Sequence, residues 1–181
     1  MTHTRPFDAD ALRARITDVP DFPSPGVVFK DISPLLADPV SLVAVVDALA
    51  TSAGPVDKVV GIEARGFIFA APVAFLVGAG FVPVRKPGKL PGPTHETSYD
   101  LEYGSNVLQV HRDAFEPGER VLVVDDVLAT GGTAAAAVRL VEQAGAEVVS
   151  VSVLLELGSL QGRAALSAAH SAVPVHALLS Y

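Results

Sequence analysis

The apolar run Val121-Leu122-Val123-Val124 stops on two adjacent acids, Asp125 and Asp126. Val127-Leu128-Ala129-Thr130-Gly131-Gly132-Thr133 follows, then the run Ala134-Ala135-Ala136-Ala137-Val138. The order reads as a buried strand ending in carboxylates, a loop of small residues and a helix. Side chains alternate along a strand end, so the two acids point different ways and either can accept hydrogen bonds from the hydroxyls of a ribose. The loop from Ala129 to Thr133 has little bulk, which leaves its backbone N–H groups free to close round an anion. The helix behind it adds unpaired N–H groups and the positive end of its dipole. An acid pair beside an anion cradle suits a phosphorylated sugar. No Gly-Lys-Ser/Thr follows the glycines as in a Walker loop, and the Gly-x-Gly-x-x-Gly of a dinucleotide fingerprint is absent.

The rest of the chain alternates in the same manner. Helices are predicted at residues 8–16, at 40–51 behind Asp38 as N-cap and Pro39, at 67–77, at 134–144 closed by Gly145, and at 160–168. Strands are predicted at 56–62, 81–84, 120–124, 148–155 and 175–179, and a hairpin at 99–103 and 106–110 about Gly104-Ser105. Residues 88–97 read as a Gly/Pro-rich loop. Alternating helices and long apolar strands imply a parallel sheet covered on both faces, with ligands outside the carboxyl ends of its strands.

Composition narrows the function. Half of the 181 residues are hydrophobic, enough for one domain with its own core. Cysteine is absent, which excludes disulfides and thiolate metal sites and fits a reducing cytoplasm. A net charge of −7 with 13 basic residues argues against general binding to nucleic acid or anionic membranes. Small molecules are the expected partners, and an anionic one has to be met by local donors. Residues 1–10 have no apolar core and do not read as a signal peptide. Residues 66–84 carry no charge, but Pro72, Gly78, Gly80 and Pro83 break them into a buried helix and a strand. His3, His95, His111, His170 and His176 have no helical zinc spacing.

The acid-pair segment resembles the 5-phosphoribosyl 1-pyrophosphate motif of the type I phosphoribosyltransferases. Gly61-Ile62-Glu63-Ala64-Arg65-Gly66 resembles that family's pyrophosphate loop, in which the N–H groups of Ala64, Arg65 and Gly66 face the leaving group and Arg65 adds charge-assisted bonds. In the family this loop often carries a strained or cis peptide. The cations Arg85, Lys86 and Lys89, set among Pro87, Gly88, Pro91, Gly92 and Pro93, suit a lid that excludes water and meets developing negative charge.

Residues 20–34 contain four prolines, which forbid a helix and leave backbone groups for a ligand, and Phe29 offers a face for stacking on a purine. Asp-Phe-Pro-x-Pro-Gly-Val-Val-Phe-x-Asp-Ile-Ser-Pro, Ala-Arg-Gly-Phe, Arg-Lys-x-Gly-Lys-Leu-Pro and Leu-Glu-Tyr-Gly occur in this order. Together with the acid pair they resemble the adenine-using members of the family, from Asp21 to Thr133. The resemblance implies the type I phosphoribosyltransferase fold over residues 1–181 as a single domain: a mainly parallel twisted sheet flanked by helices, a small N-terminal hood over about residues 1–35, and a flexible catalytic loop. It implies that Phe29 stacks on adenine while the main chain of Val28 and Lys30 reads its edge. Glu63 stands where the family often has Asp, and Lys30 where it often has Arg. Both changes are tolerable where backbone atoms do the binding.

The implied reaction transfers the 5-phosphoribosyl group to N9 of adenine, giving AMP and diphosphate through an oxocarbenium-like state. Glu102 is the expected carboxylate near N9, as proton acceptor or charge balance, and Tyr103 the expected hydrogen-bonding partner within the closed lid. Mg²⁺ is expected to arrive with the diphosphate, held mainly by ligand oxygens and water and by no protein ligand. A homodimer is implied by the family. Two other readings stay open: transfer to a 6-oxopurine, and a non-catalytic regulator of the same fold.

Overall fold

The computed structural model describes residues 7–100 and 105–181. The chain divides into two compact units, residues 1–48 and 49–181. In the first, helix α1 (Ala9–Arg13) precedes strand β1 (Thr17–Pro20), which pairs antiparallel with β2 (Val28–Asp31), and a short helix α2 (Ser33–Ala37) follows. The 8–16 helix is therefore shorter than its sequence suggests, and β1 and α2 are additions. The backbone of 28–31 is only partly free, because Pro20, Val19, Asp18 and Thr17 stand opposite Val28 to Asp31. Pro20 has no N–H to donate to Val28. Helix α3 (Pro39–Ala53) joins the units and starts as expected, with Asp38 Oδ2 accepting from Ser41 N at 2.9 Å and from its hydroxyl at 2.6 Å.

The second unit is built on a five-stranded sheet in the order β4-β3-β7-β8-β9, parallel throughout. Its strands are β3 (Lys58–Ile62), β4 (Gly80–Val84), β7 (Arg120–Leu128), β8 (Glu147–Glu156) and β9 (Val175–Ser180). Helix α4 (Gly66–Val77) connects β3 to β4, α5 (Gly132–Gln143) connects β7 to β8, and α6 (Gly162–Ala169) connects β8 to β9. The uncharged stretch 66–84 splits into α4 and β4, and no described helix is long and apolar enough to cross a membrane. Gly78 ends α4 at φ +72°, with Ala79 N donating to Ala74 O at 2.9 Å, as in a Schellman cap.

Val121 and Val123 of β7 and Val151 and Val153 of β8 are fully buried in one core with Ala134, Ala136 and Ala137 of α5, small residues that let the helix sit close to the sheet. A separate antiparallel hairpin of β5 (Thr94–Asp100) and β6 (Ser105–His111) is tied to the end of β4 through a bridge between Arg85 and Gln109. The loop after β4 is thus shorter than the 88–97 read from sequence. The other difference lies in β7, which does not stop before the acids: Asp125 pairs with Val153 and Val127 with Leu155.

Candidate active site

Strands β3 and β7 are neighbours, yet the chain leaves them in opposite directions, toward β4 on one side and toward β8 and β9 on the other. In an open parallel sheet such a reversal opens a crevice at the carboxyl ends of the strands. A cleft of about 330 Å³ lies there, lined by Glu63, Ala64 and Arg65 after β3, by Asp125 to Gly131 and by Thr133 and Ala134. Lys86, Tyr99 and Asn106 complete its wall.

The floor is the acid pair. Asp126 is buried, 5 % exposed, and its Oδ2 lies 2.8 Å from Arg65 Nε. The contact has the distance of an ion pair without the angle of a hydrogen bond, so Oδ2 accepts none among the described residues. Asp125 is half-buried and its Oδ1 accepts from Asp126 N at 2.9 Å. Burial, and after it the neighbouring Asp126 charge, pushes the Asp125 carboxyl well above its ordinary 3.8. Burial also raises Asp126, with Arg65 pulling the other way. Gly66 is required beside them, since a Cβ there would meet Asp125 Oδ1 and Val124 O, each at 2.9 Å.

A raised carboxyl binds its proton more tightly in the folded protein than in the unfolded chain, so ionising it costs stability. That cost is absent below the unfolded value and grows as pH rises through the raised range. Asp125→Asn, which retains the oxygen facing Asp126 N, is expected to melt at a higher temperature than the parent at neutral pH. The gap should close as acidification returns the proton to the parent. Thermal melts of the two proteins across pH check this.

Above the acids the backbone turns through Ala129 and Thr130 to Gly131, which holds φ +86° as N-cap of α5. A Cβ at Gly131 would stand 2.5 Å from Gly162 O, so only glycine fits. Ala135 N is the first amide of α5 bonded to its cap, at 2.9 Å from Gly131 O. The N–H groups of Gly131 to Ala134 have no intrahelical acceptor, and a helix start of this kind favours an anion.

The second loop carries a cis peptide between Glu63 and Ala64. Burial alone would raise the Glu63 carboxyl. Hydrogen bonds from Arg85 Nε at 3.1 Å and Lys86 N at 3.1 Å outweigh it and hold the group below its ordinary value. Arg85 also donates to Lys89 O at 3.2 Å and lies 5.8 Å above the Phe67 ring. Glu63 and Arg85 thereby join the loop after β3 to the cationic segment after β4.

The structure brings Ala64, Arg65, Lys86, Asp125, Asp126, Ala129, Thr130, Gly131 and Thr133 into one cleft. Gly66 and Gly132 lie one position along the chain from lining residues, at the starts of α4 and α5. Arg85 is occupied behind the cleft wall, and Lys89 is exposed outside the lining. Val28, Phe29 and Lys30 belong to the first unit. There the Phe22 and Phe29 rings meet edge to face at 5.1 Å, and Lys30 Nζ sits 2.7 Å from Asp18 Oδ1. Glu102 and Tyr103 fall outside the described residues. Sequence reasoning missed Tyr99 and Asn106, whose phenol and amide stand 3.5 Å apart, and the clamp that Glu63 places on Arg85.

The phosphoribosyl transferase domain model matches residues 44–168. The chain is 65% identical over 161 residues to the adenine phosphoribosyltransferase of Acidothermus cellulolyticus, covering 88% of this chain and 91% of the relative. It also superposes on the crystal structure of adenine phosphoribosyltransferase from Rhodothermus marinus with a TM-score of 0.89 and 51% identity, covering 96% and 98% of the two chains. The Saccharomyces cerevisiae adenine phosphoribosyltransferase, solved with an imino-altritol bisphosphate and adenine, matches with a TM-score of 0.87 and 40% identity over 94% of this chain and 98% of that one.

Proposed function

The chain belongs to the phosphoribosyl transferase family, and from that membership and its cleft we infer that it transfers the 5-phosphoribosyl group of 5-phospho-α-D-ribose 1-diphosphate to N9 of adenine. The products are AMP and diphosphate, which makes the protein a purine salvage enzyme. The observation that carries the reading is the convergence of the acid pair, the loop 129–133 and the loop 63–66 at the reversal of the sheet.

In this reading the N–H groups of residues 130–133 hold the 5′-phosphate, while Asp125 and Asp126 accept the ribose hydroxyls. The amides of Ala64 to Gly66 and the Arg65 guanidinium hold the diphosphate. Arg65, 2.8 Å from Asp126, spans the two subsites, so sugar and leaving group are oriented by one ion pair. Lys86 and Lys89 supply positive charge as the diphosphate departs. Phe29 stacks on adenine, and the Val28 and Lys30 main chain reads its edge. Glu102 stands near N9, and Tyr103 hydrogen-bonds within the closed site. Tyr99 and Asn106, which flank the end of the hairpin, line the cleft and support that assignment.

Among the described residues no three His, Cys, Asp or Glu side chains group as a metal site. An ion carried in by the ligand needs no protein ligand, and none is assigned. Mg²⁺ bound to the diphosphate and water would neutralise the leaving group. We further propose a cytoplasmic homodimer. Ile68, Phe75 and Leu76 leave an apolar face of α4 exposed, Phe75 by 84 %, which supports association. Sedimentation at micromolar concentration is expected to give twice the mass of one chain.

Base competition in a turnover assay tests the reaction. A carbonyl that accepts from the exocyclic amine of adenine faces another carbonyl in hypoxanthine or guanine. kcat/KM for adenine is therefore expected to exceed theirs by at least about 1,000-fold. Comparable turnover of hypoxanthine would overturn the substrate assignment.

A further inference from the structure

The element behind the phosphate loop is α6, and the two are in backbone contact. A Cβ at Gly162 would stand 2.2 Å from Ala129 O and 2.9 Å from Gly131 N. Seen from the other side, a Cβ at Gly131 would stand 2.5 Å from Gly162 O. The loop therefore has no room to retreat, and its position is set by where α6 begins. What sets α6 is the residue that follows Gly162. Arg163 Nη2 and Nε donate to Glu156 at 2.6 and 3.1 Å, and its Nη1 donates to Val175 O at 2.6 Å. Glu156 is the last residue of β8, and Val175 is the first of β9. One planar guanidinium thus pins the helix start to two strand ends, and its five donors in a fixed fork suit that task. The loop is also tied directly to the same region, with Leu157 N donating to Leu128 O at 2.9 Å.

We propose that Arg163 is a positioning residue for the 5′-phosphate: by clamping the start of α6 it makes Gly162 a fixed backstop for residues 129–131. The inference rests on the phosphoribosyl transfer reading above. It extends that site to α6 and to β9, which lies beyond the matched residues 44–168. Arg163 is half-exposed and is not one of the residues that line the cleft, so it acts through Gly162 rather than on the ligand.

Steady-state kinetics on R163A, R163K and G162A tests the role. R163A and G162A are expected to raise KM for the phosphoribosyl substrate by about 10-fold, with kcat and KM for adenine within about 3-fold of the parent. R163K keeps the charge and reaches Glu156 but loses the fork to Val175 O, so its KM should fall between parent and R163A. A merely structural role would lower activity without separating the two KM values. Equal changes in both, or an unchanged KM for the phosphoribosyl substrate in folded R163A, would overturn the proposal. Should R163A not fold, R163K and G162A decide by the same ratio. Failure of the parent itself to convert adenine would instead reject the reaction, so the two failures are distinct.

Discussion

Asp126→Ala is expected to weaken AMP binding by about 100-fold, measured by calorimetric titration. The carboxylate is buried, and its Oδ2 lies beside Arg65 without a hydrogen-bond donor. That oxygen is buried and paired by charge with Arg65, but accepts no hydrogen bond among the described residues. A hydrogen bond from a ribose hydroxyl to a charged group contributes roughly 1.5–3 kcal/mol, and removing the anion beside Arg65 also loosens the loop 63–66. About 3 kcal/mol corresponds to about two orders of magnitude in Kd. Stability separates this loss from unfolding, because burial raises the Asp126 carboxyl and deleting it removes a desolvation cost. The melting temperature should not fall. Asp126→Asn, which keeps volume and one acceptor, should lose about 10-fold. AMP affinity within about 3-fold of the parent in Asp126→Ala would show that the acid does not hold the ribose.

The second large effect concerns rate rather than binding. Glu102→Ala is expected to lower kcat by about 10²–10⁴, the usual range for a positioned acid or base, while Kd for AMP stays within about 3-fold. N9 of adenine must shed its proton as it attacks C1′, and C1′ carries positive charge as the diphosphate leaves. A carboxylate near N9 serves either need. Glu102→Gln keeps the shape but can neither take a proton nor carry charge, so a rate as low as that of Glu102→Ala assigns the effect to the carboxylate rather than to the bulk of the side chain. Loss of AMP affinity in parallel with kcat would make Glu102 a binding group instead.

Local signals exposed much of this molecule in its sequence. The β-branched run of β7 and the small residues after it mark a buried strand entering a helix, and the structure places both. The position where that strand ends was hidden. Acids usually close a strand, but β8 continues alongside and pairs with Asp125 and Val127, so tertiary pairing extends β7 to Leu128. Strand β5 was obscured for a related reason. Thr94-His95-Glu96-Thr97 shows no apolar alternation, and only the register with β6, Thr94 opposite His111, makes it a strand. In β1 the terminal Pro20 masked a ribbon that depends on β2.

The site divides along the same line. Loops 63–66 and 129–133 are contiguous in sequence and were legible. Glu63 and Arg85, 22 positions apart, meet only because β3 and β4 are adjacent. Gly162 carries no local signal either, since only the approach of Ala129 O and Gly131 N, distant in sequence, requires a glycine there.

A crystal structure with AMP bound tests the central claim most directly. The account predicts phosphate oxygens about 2.7–3.2 Å from the backbone nitrogens of residues 130–133, with the ribose hydroxyls turned toward Asp125 and Asp126. A phosphate seated elsewhere, with that turn of the chain holding only solvent, would contradict it.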